Sequence, residues 1–346
     1  MTILPGNEKA SPKRGVLLAV GLIGMPVTLL FISLCFGRLQ IAPPEVFKIL
    51  LSRVGDIGPT WNDVQESIVM DIRLPRVLLA MLIGASLAIS GAAFQGVFRN
   101  PLVGPSILGV ASGAGFGAAL GIIICESVLF THFMAFVFGL IAVGLALFIT
   151  RMGARKSLLM LVLSGLIVGA VFTALVSLIK YVADPEDKLP TIVYWLMGSL
   201  AGASYKALFT GAPVMIAGMV VLLLFRWRIN VLALGEEVAN SLGENITMLR
   251  FVIIMACTVV TSSAVSLAGL VGWVGILVPH IVRMVLGPDH KLLMPASVSI
   301  GACYLLLIDD IARAATSAEI PLSILTAIIG APFFAYLLRH TGGRWA

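Results

Sequence analysis

Charge is scarce in this chain. Of its 346 residues only 12% are charged while 59% are hydrophobic, whereas a soluble domain carries about a quarter charged residues. With a mean hydropathy of +1.07, the apolar surface exceeds what a water-soluble core can bury. Cysteine is sparse too. Cys35, Cys125, Cys257 and Cys303 are scattered through apolar segments without ligand-like spacing, so no disulfide framework, metal site or redox compartment follows. His132, His280, His290 and His340 are equally dispersed, and no Ser/His/Asp set or paired carboxylates suggest hydrolysis. A Walker P-loop is also lacking, so any ATP used by this protein is bound by another chain.

What the chain has instead is long apolar runs. A bilayer-spanning helix needs about 20 mainly apolar residues, and the runs 15–37, 75–98, 106–125, 128–150, 157–181, 206–226, 247–267, 272–287, 293–315 and 321–338 supply about ten of them. Segment 272–287 is short and broken by Pro279; it is kept because the charge pattern is best met by an even count, with both termini on one side. The polar leader 1–14 holds Lys9, Lys13 and Arg14. The apolar run after it exceeds a signal-peptide h-region and lacks a small-residue cleavage site, so it reads as the first span. The expectation is one membrane domain over 1–346, all-α and multi-pass.

Basic residues give an orientation. With the N-terminus inside, Lys9, Lys13, Arg14, Arg99, Arg151, Arg155, Lys156, Arg226, Arg228, Arg250, Arg283, Lys291, Arg339 and Arg344 lie inside and Arg38, Lys48, Arg53, Arg73, Arg76, Lys180, Lys188, Lys206 and Arg313 outside. Fourteen against nine favours cytoplasmic N- and C-termini by the positive-inside rule. The net charge of +6 then fits a basic inner rim beside anionic lipid and needs no nucleic acid. Two excursions matter outside. Residues 38–72 form an external loop with a short surface helix near Pro44–Arg53, and ADPEDKLP at 183–190 precedes an interfacial or re-entrant helix, Thr191–Leu200, whose Trp195 suits the water interface.

Three groups of residues stand out. Arg73 and Arg76 lie one helical turn apart at the outer start of the second span, where Pro75 suits an early helical position; Arg313 lies at the outer end of the ninth. Their guanidiniums suit carboxylates of a docking partner. They equally suit anchoring of helix ends, and Asp309 and Asp310 stand ready to neutralise Arg313. On the inner side Leu234, Val238 and Leu242 follow at i, i+4 spacing with Glu236 and Glu237 facing elsewhere, between Gly235 and Gly243. This amphipathic helix fits a groove on a partner or the lipid surface. Finally, RNPLVGPSILG at 99–109 and GLVGWVGILVPH at 269–280 are paired Gly/Pro interruptions, the pattern that marks a transport path. Gly165 in LVLSGLIVG reads as path wall or as a close-packing position.

From Arg73 onward the chain closely resembles the FecCD/BtuC-type permeases of binding-protein-dependent ABC importers. RLPR at 73–76, the Arg99–Leu102 turn, DDIAR at 309–313, GWVGILVPHIVR at 272–283, GPDHKLLMP at 287–295 and IPLSILTAIIGAPFFAYLL at 320–338 carry the likeness. The resemblance implies a cobalamin-importer-like (type II) permease fold and a non-catalytic subunit that pairs with a second copy of itself. It implies two ATP-binding cassette subunits that hold ATP and Mg, an extracytoplasmic substrate-binding protein, and no cofactor on this chain. It implies docking of the binding protein on Arg73, Arg76 and Arg313. The ATPase would be coupled through segment 229–246, with Leu234, Glu236, Glu237, Val238, Leu242 and Gly243, and the inner path would be narrowed at Asn100 and Leu102. Such permeases carry mostly ferric siderophores, haem and cobalamin, and some carry molybdate or tungstate; an iron chelate or haem is expected here. The alternative is an ATP-independent secondary transporter, a class with functional acids inside its spans, for which Asp309 and Asp310 are the residues to watch.

Overall fold

The computed structural model describes residues 12–341 apart from 38, 54, 56, 57, 59, 154–156 and 317. Arg38, Arg155, Lys156, Arg344 and most of the 1–14 leader lie outside the described residues. In chain order the helices are α1 (Pro12–Cys35), α2 (Pro43–Leu51), α3 (Asp63–Ser67), α4 (Leu74–Phe98), α5 (Val110–Ile124), α6 (Val128–Met152), α7 (Leu158–Val182) and α8 (Lys188–Met197). They continue with α9 (Tyr205–Leu224), α10 (Arg226–Ala233), α11 (Glu236–Ser241), α12 (Ile246–Ala268), α13 (Val274–Leu286), α14 (His290–Ala315) and α15 (Leu322–Thr341). No strand occurs among the described residues.

The starts of these helices are written in polar residues. Ser127, Ser157, Ser204 and Asn245 each accept a hydrogen bond from the backbone N–H three residues on, which satisfies one of the amides that an α-helix leaves unpaired at its N-terminus. Seven helices are long and apolar enough to cross a bilayer, and the apolar helices at 110–124, 274–286 and 322–336 are shorter. All ten expected spans therefore have a helix.

The start of the second span differs from expectation. Rather than beginning at 75, α4 continues upstream without a break through a wider π-helical turn, Ile68–Arg73, into α3. Pro75 follows that turn. In the π register its nitrogen would have donated to the carbonyl of Met70, and a proline has no N–H. The Tyr205 hydroxyl donates to that carbonyl instead, at 2.7 Å. The surface helix foreseen near 44–53 is α2, and α8 lies three residues upstream of the re-entrant segment foreseen at 191–200.

The core is built around α4. Its best apolar window is 83% buried, against 11% for α1, so α4 is the central post and α1 a peripheral one. Close approach is made possible by glycine. A Cβ on Gly84 would stand 2.7 Å from the Leu305 Cβ, and one on Gly91 2.8 Å from the Gly275 Cα. Such small-residue contacts are how helices pack tightly in lipid, where no hydrophobic effect drives them together.

Candidate functional site

At one end, α4 and α14 bring the three arginines together, and none is free. Arg76 is buried, donating Nε and Nη2 to Asp309 at 3.0 and 2.8 Å and Nη1 and Nη2 to Glu319 at 2.9 and 2.8 Å. Arg313, also buried, pairs with Asp309 at 3.5 Å and with Asp310, and donates to the Ser33 hydroxyl at 2.8 Å. Arg73 donates to the carbonyls of Leu34 at 2.6 Å, Cys35 at 3.2 Å and Leu39. Leu34 and Cys35 end α1, so Arg73 caps that helix by satisfying carbonyls left without an intrahelical partner. Two guanidiniums, those of Arg76 and Arg313, meet three carboxylates here, and Asp309 is fully buried. Of the two roles open to these arginines from sequence, the anchoring contacts are visible in the geometry.

The middle of the protein is where the two Gly/Pro interruptions meet. The irregular segment after α4 packs Gly104 on Ile276 and Pro105 on Gly275, and the Gln95 amide donates to the Ile276 carbonyl at 3.3 Å. Both segments feed short helices. At 1.5 Å per residue α5 and α13 reach about 22 and 20 Å, short of the roughly 30 Å hydrocarbon core. Non-helical backbone leads into each, which a membrane tolerates where protein buries it or where it lines a water-filled cavity. Asn100 shapes the turn by accepting the Leu102 N–H at 2.9 Å, and Leu102 is left 45% exposed. Gly165 is buried under this segment: a Cβ there would stand 2.7 Å from the Leu108 Cα. It faces the packed backbone of the loop.

At the opposite end the pattern of exposure reverses. Arg228 pairs with Glu244 at 3.4 Å and Arg250 with Glu236 at 2.7 Å, while Leu234, Val238 and Leu242 are 67%, 42% and 62% exposed. One detail corrects the sequence reading. Gly235 has a φ of 117° and ends the register of α10, so Leu234 belongs to that helix's C-cap and does not share a continuous face with Val238. Only Ala239 of α11 is buried, and Gly243, with a φ of 79°, closes the helix. Glu237 is exposed.

Sequence reasoning passed over several residues. Glu319 completes the Arg76 fork from the α14–α15 connection, six positions after Arg313, and Ser33 links α1 to α14 with nothing in the sequence to mark it. A cavity of about 500 Å³ lies near the Arg73 end, where α8 covers the start of α6, and is lined by residues including His132, Thr191, Tyr194, Trp195 and Ser199. Beside it Lys188 pairs with Glu126 at 2.7 Å, and the lysine holds that carboxyl below its usual range. Among the described residues no three His, Cys, Asp or Glu side chains gather as a metal site.

A bundle of long apolar helices, with two short ones led in by non-helical backbone, defines a polytopic membrane protein. Residues 25–340 match the FecCD transport family. A molybdate import system permease of Haemophilus influenzae is 43% identical over 92% of this chain and 94% of its own length. A probable iron chelatin transport permease of Helicobacter pylori is 42% identical over 80% and 83%. A solved inward-facing structure, described as a metal-chelate-type ABC transporter, superposes with a TM-score of 0.84 at 39% identity, covering 94% of this chain and 99% of that one. The chain therefore belongs to the FecCD transport family, and it is a multi-pass membrane protein with the ABC-transporter permease fold.

Proposed function

We propose that this chain is the permease subunit of an ATP-driven importer of metal chelates, a ferric siderophore or haem being the favoured cargo. The observation that carries the reading is the exposed apolar set Leu234, Val238 and Leu242 on a short inner excursion of a FecCD-family chain. Apolar side chains projecting from a polar loop are what a helix-in-groove contact requires, and here the groove belongs to an ATPase subunit, flanked by Glu236, Glu237 and Gly243. The basic residues around this end, Arg99, Arg226, Arg228, Arg250 and Lys291, support a cytoplasmic location and cytoplasmic termini. Two copies of the permease enclose the path, two cassette subunits bind ATP and Mg, and Asn100 and Leu102 narrow the inner end, with Gly165 packing the wall behind them.

On this reading the binding protein docks at the other end, over Arg73, Arg76 and Arg313. The internal carboxylates hold the guanidiniums in place, and acidic groups of the partner take a share of Arg76 and Arg313. A secondary carrier has less support, because Asp309 and Asp310 are occupied in ion pairs. A second cargo has a specific observation in its favour, since a relative at 43% identity is a molybdate permease. Uptake of a labelled ferric chelate and of labelled molybdate into proteoliposomes holding the full complex distinguishes the two.

The test of the function itself is Val238→Asp. An unpaired carboxylate buried in the ATPase contact is costly, so the variant should fail to retain the ATPase or lose stimulation of hydrolysis by the binding protein. A variant normal in both would remove this helix as the coupling contact.

A further inference from the structure

The exposed apolar helix can pass on a movement only if something fixes it to the spans, and α11 itself buries Ala239 and holds α12 through the Glu236–Arg250 pair. The firmer joint lies one helix earlier. Asn230 on α10 donates its Nδ2 to the Asp289 carboxylate at 2.6 Å. Its Oδ1 receives the His290 backbone N–H at 2.8 Å and lies 2.9 Å from the His290 ring Nδ1. Asp289 is the N-cap of α14, accepting the Lys291 N–H at 2.9 Å. One side chain on α10 thus engages the first residue of α14, its cap and a buried imidazole.

Buried groups back this joint on the α4 side, while Asp289 itself is exposed. Ile229, fully buried, and the His290 ring both lie against Gly96 of α4, where a Cβ would stand 2.7 Å from the imidazole Nε2. Lys291 lies over the Trp227 ring at 4.1 Å, adding a cation–π contact between the same two helices. From this point α14 runs unbroken to Asp309, about 28 Å away at 1.5 Å per residue, where it enters the ion network of Arg76 and Arg313.

We propose that Asn230 is a positioning residue for transport, welding the coupling excursion to the start of α14 so that a push on α11 becomes a displacement of α14 and of the ion network at its far end. This rests on the importer reading given above. A packed rigid element with two discrete positions is the physical means by which one site biases another, and an amide with both ends occupied holds such an element without a titratable charge of its own.

The test uses the full complex of permease, ATPase and purified binding protein in proteoliposomes. Asn230→Leu keeps the volume and removes every hydrogen bond; the complex should still assemble, but cargo moved per ATP hydrolysed should fall at least about fivefold, the lower end of typical coupling factors. Asn230→Asp sets a second carboxylate against Asp289 and should uncouple as much or more. Adding Asp289→Asn to it restores a donor opposite each acceptor and should return coupling to within about twofold of the parent, the non-additivity that a direct contact requires. A role in general stability would lower assembly and hydrolysis together, without this reciprocal rescue. Coupling unchanged in Asn230→Leu overturns the proposal, as does a double variant that assembles no better or couples no better than Asn230→Asp. A parent complex that never retains an ATPase would instead sink the importer reading, and the two failures are separable.

Discussion

The two ends of this molecule treat their side chains in opposite ways. At the Arg73 end three arginines and three carboxylates are drawn inward and satisfied by one another, by Ser33 and by the last carbonyls of α1. At the Asn230 end ion pairs and hydrogen bonds also tie polar groups together, yet apolar Leu234, Val238 and Leu242 stand in the open. Charges at a membrane surface invite a docking reading, but a charge that must leave water first recruits its own partners. Exposed apolar residues on a polar loop carry the stronger demand for a partner, because nothing among the described residues covers them.

That contrast can be broken most sharply in the ion network. Arg76→Met should leave the fully buried Asp309 with the longer Arg313 contact at 3.5 Å and cost about 3–5 kcal/mol, read as a large drop in the melting temperature of the purified permease. A melt unchanged by this substitution would mean that the network is superficial. The same burial means that reversing Arg73 and Arg76 together would unfold this end before it reported on docking. Val238→Asp is the counterpart: an exposed substitution should shift the isolated permease within about 0.5 kcal/mol while removing the ATPase from the complex. Equal damage to the isolated permease would show that α11 is part of the core.

Smaller effects sharpen the picture. Glu319 is the peripheral carboxylate on Arg76, 22% exposed where Asp309 is 0%. Glu319→Gln should free part of that guanidinium and tighten an acidic binding protein by about threefold at low salt, a gain that fades as salt screens the contact. Weaker docking would instead make Glu319 a support that aims Arg76. The smallest effect concerns Asp289. Burial alone would raise its carboxyl, but the Lys291 N–H and the Asn230 amide hold it below the usual carboxylate range. A depressed folded value means that its contribution is fully present above the ordinary carboxylate range and is lost as pH falls through the lower folded one. Acid melting curves of parent and Asp289→Asn should therefore differ near neutrality and converge in strong acid; curves parallel throughout would place no stabilisation at this cap.

The spans, their approximate ends, the two broken segments and the short helices at α2, α8 and α11 were all legible in the sequence. Each is set by local pattern: apolar length, a Ser or Asn cap, a Gly or Pro break. Arg73, Arg76 and Arg313 were legible as residues, and Leu234, Val238 and Leu242 as an apolar set. What each of them touches was not. Glu319 lies 243 positions from Arg76, Ser33 lies 277 from Asp310 and Asn230 lies 59 from Asp289, and no periodicity reaches across such distances. The π turn before Pro75 was equally hidden, because the hydroxyl that makes it tolerable comes from Tyr205, 135 positions from Met70. Sequence by itself determined a many-helix membrane protein and where its chain breaks, since hydrocarbon imposes those features on each segment separately. Tertiary structure alone decided which charges are spent inside and which apolar residues are left for a partner, because burial and pairing depend on what packing brings alongside.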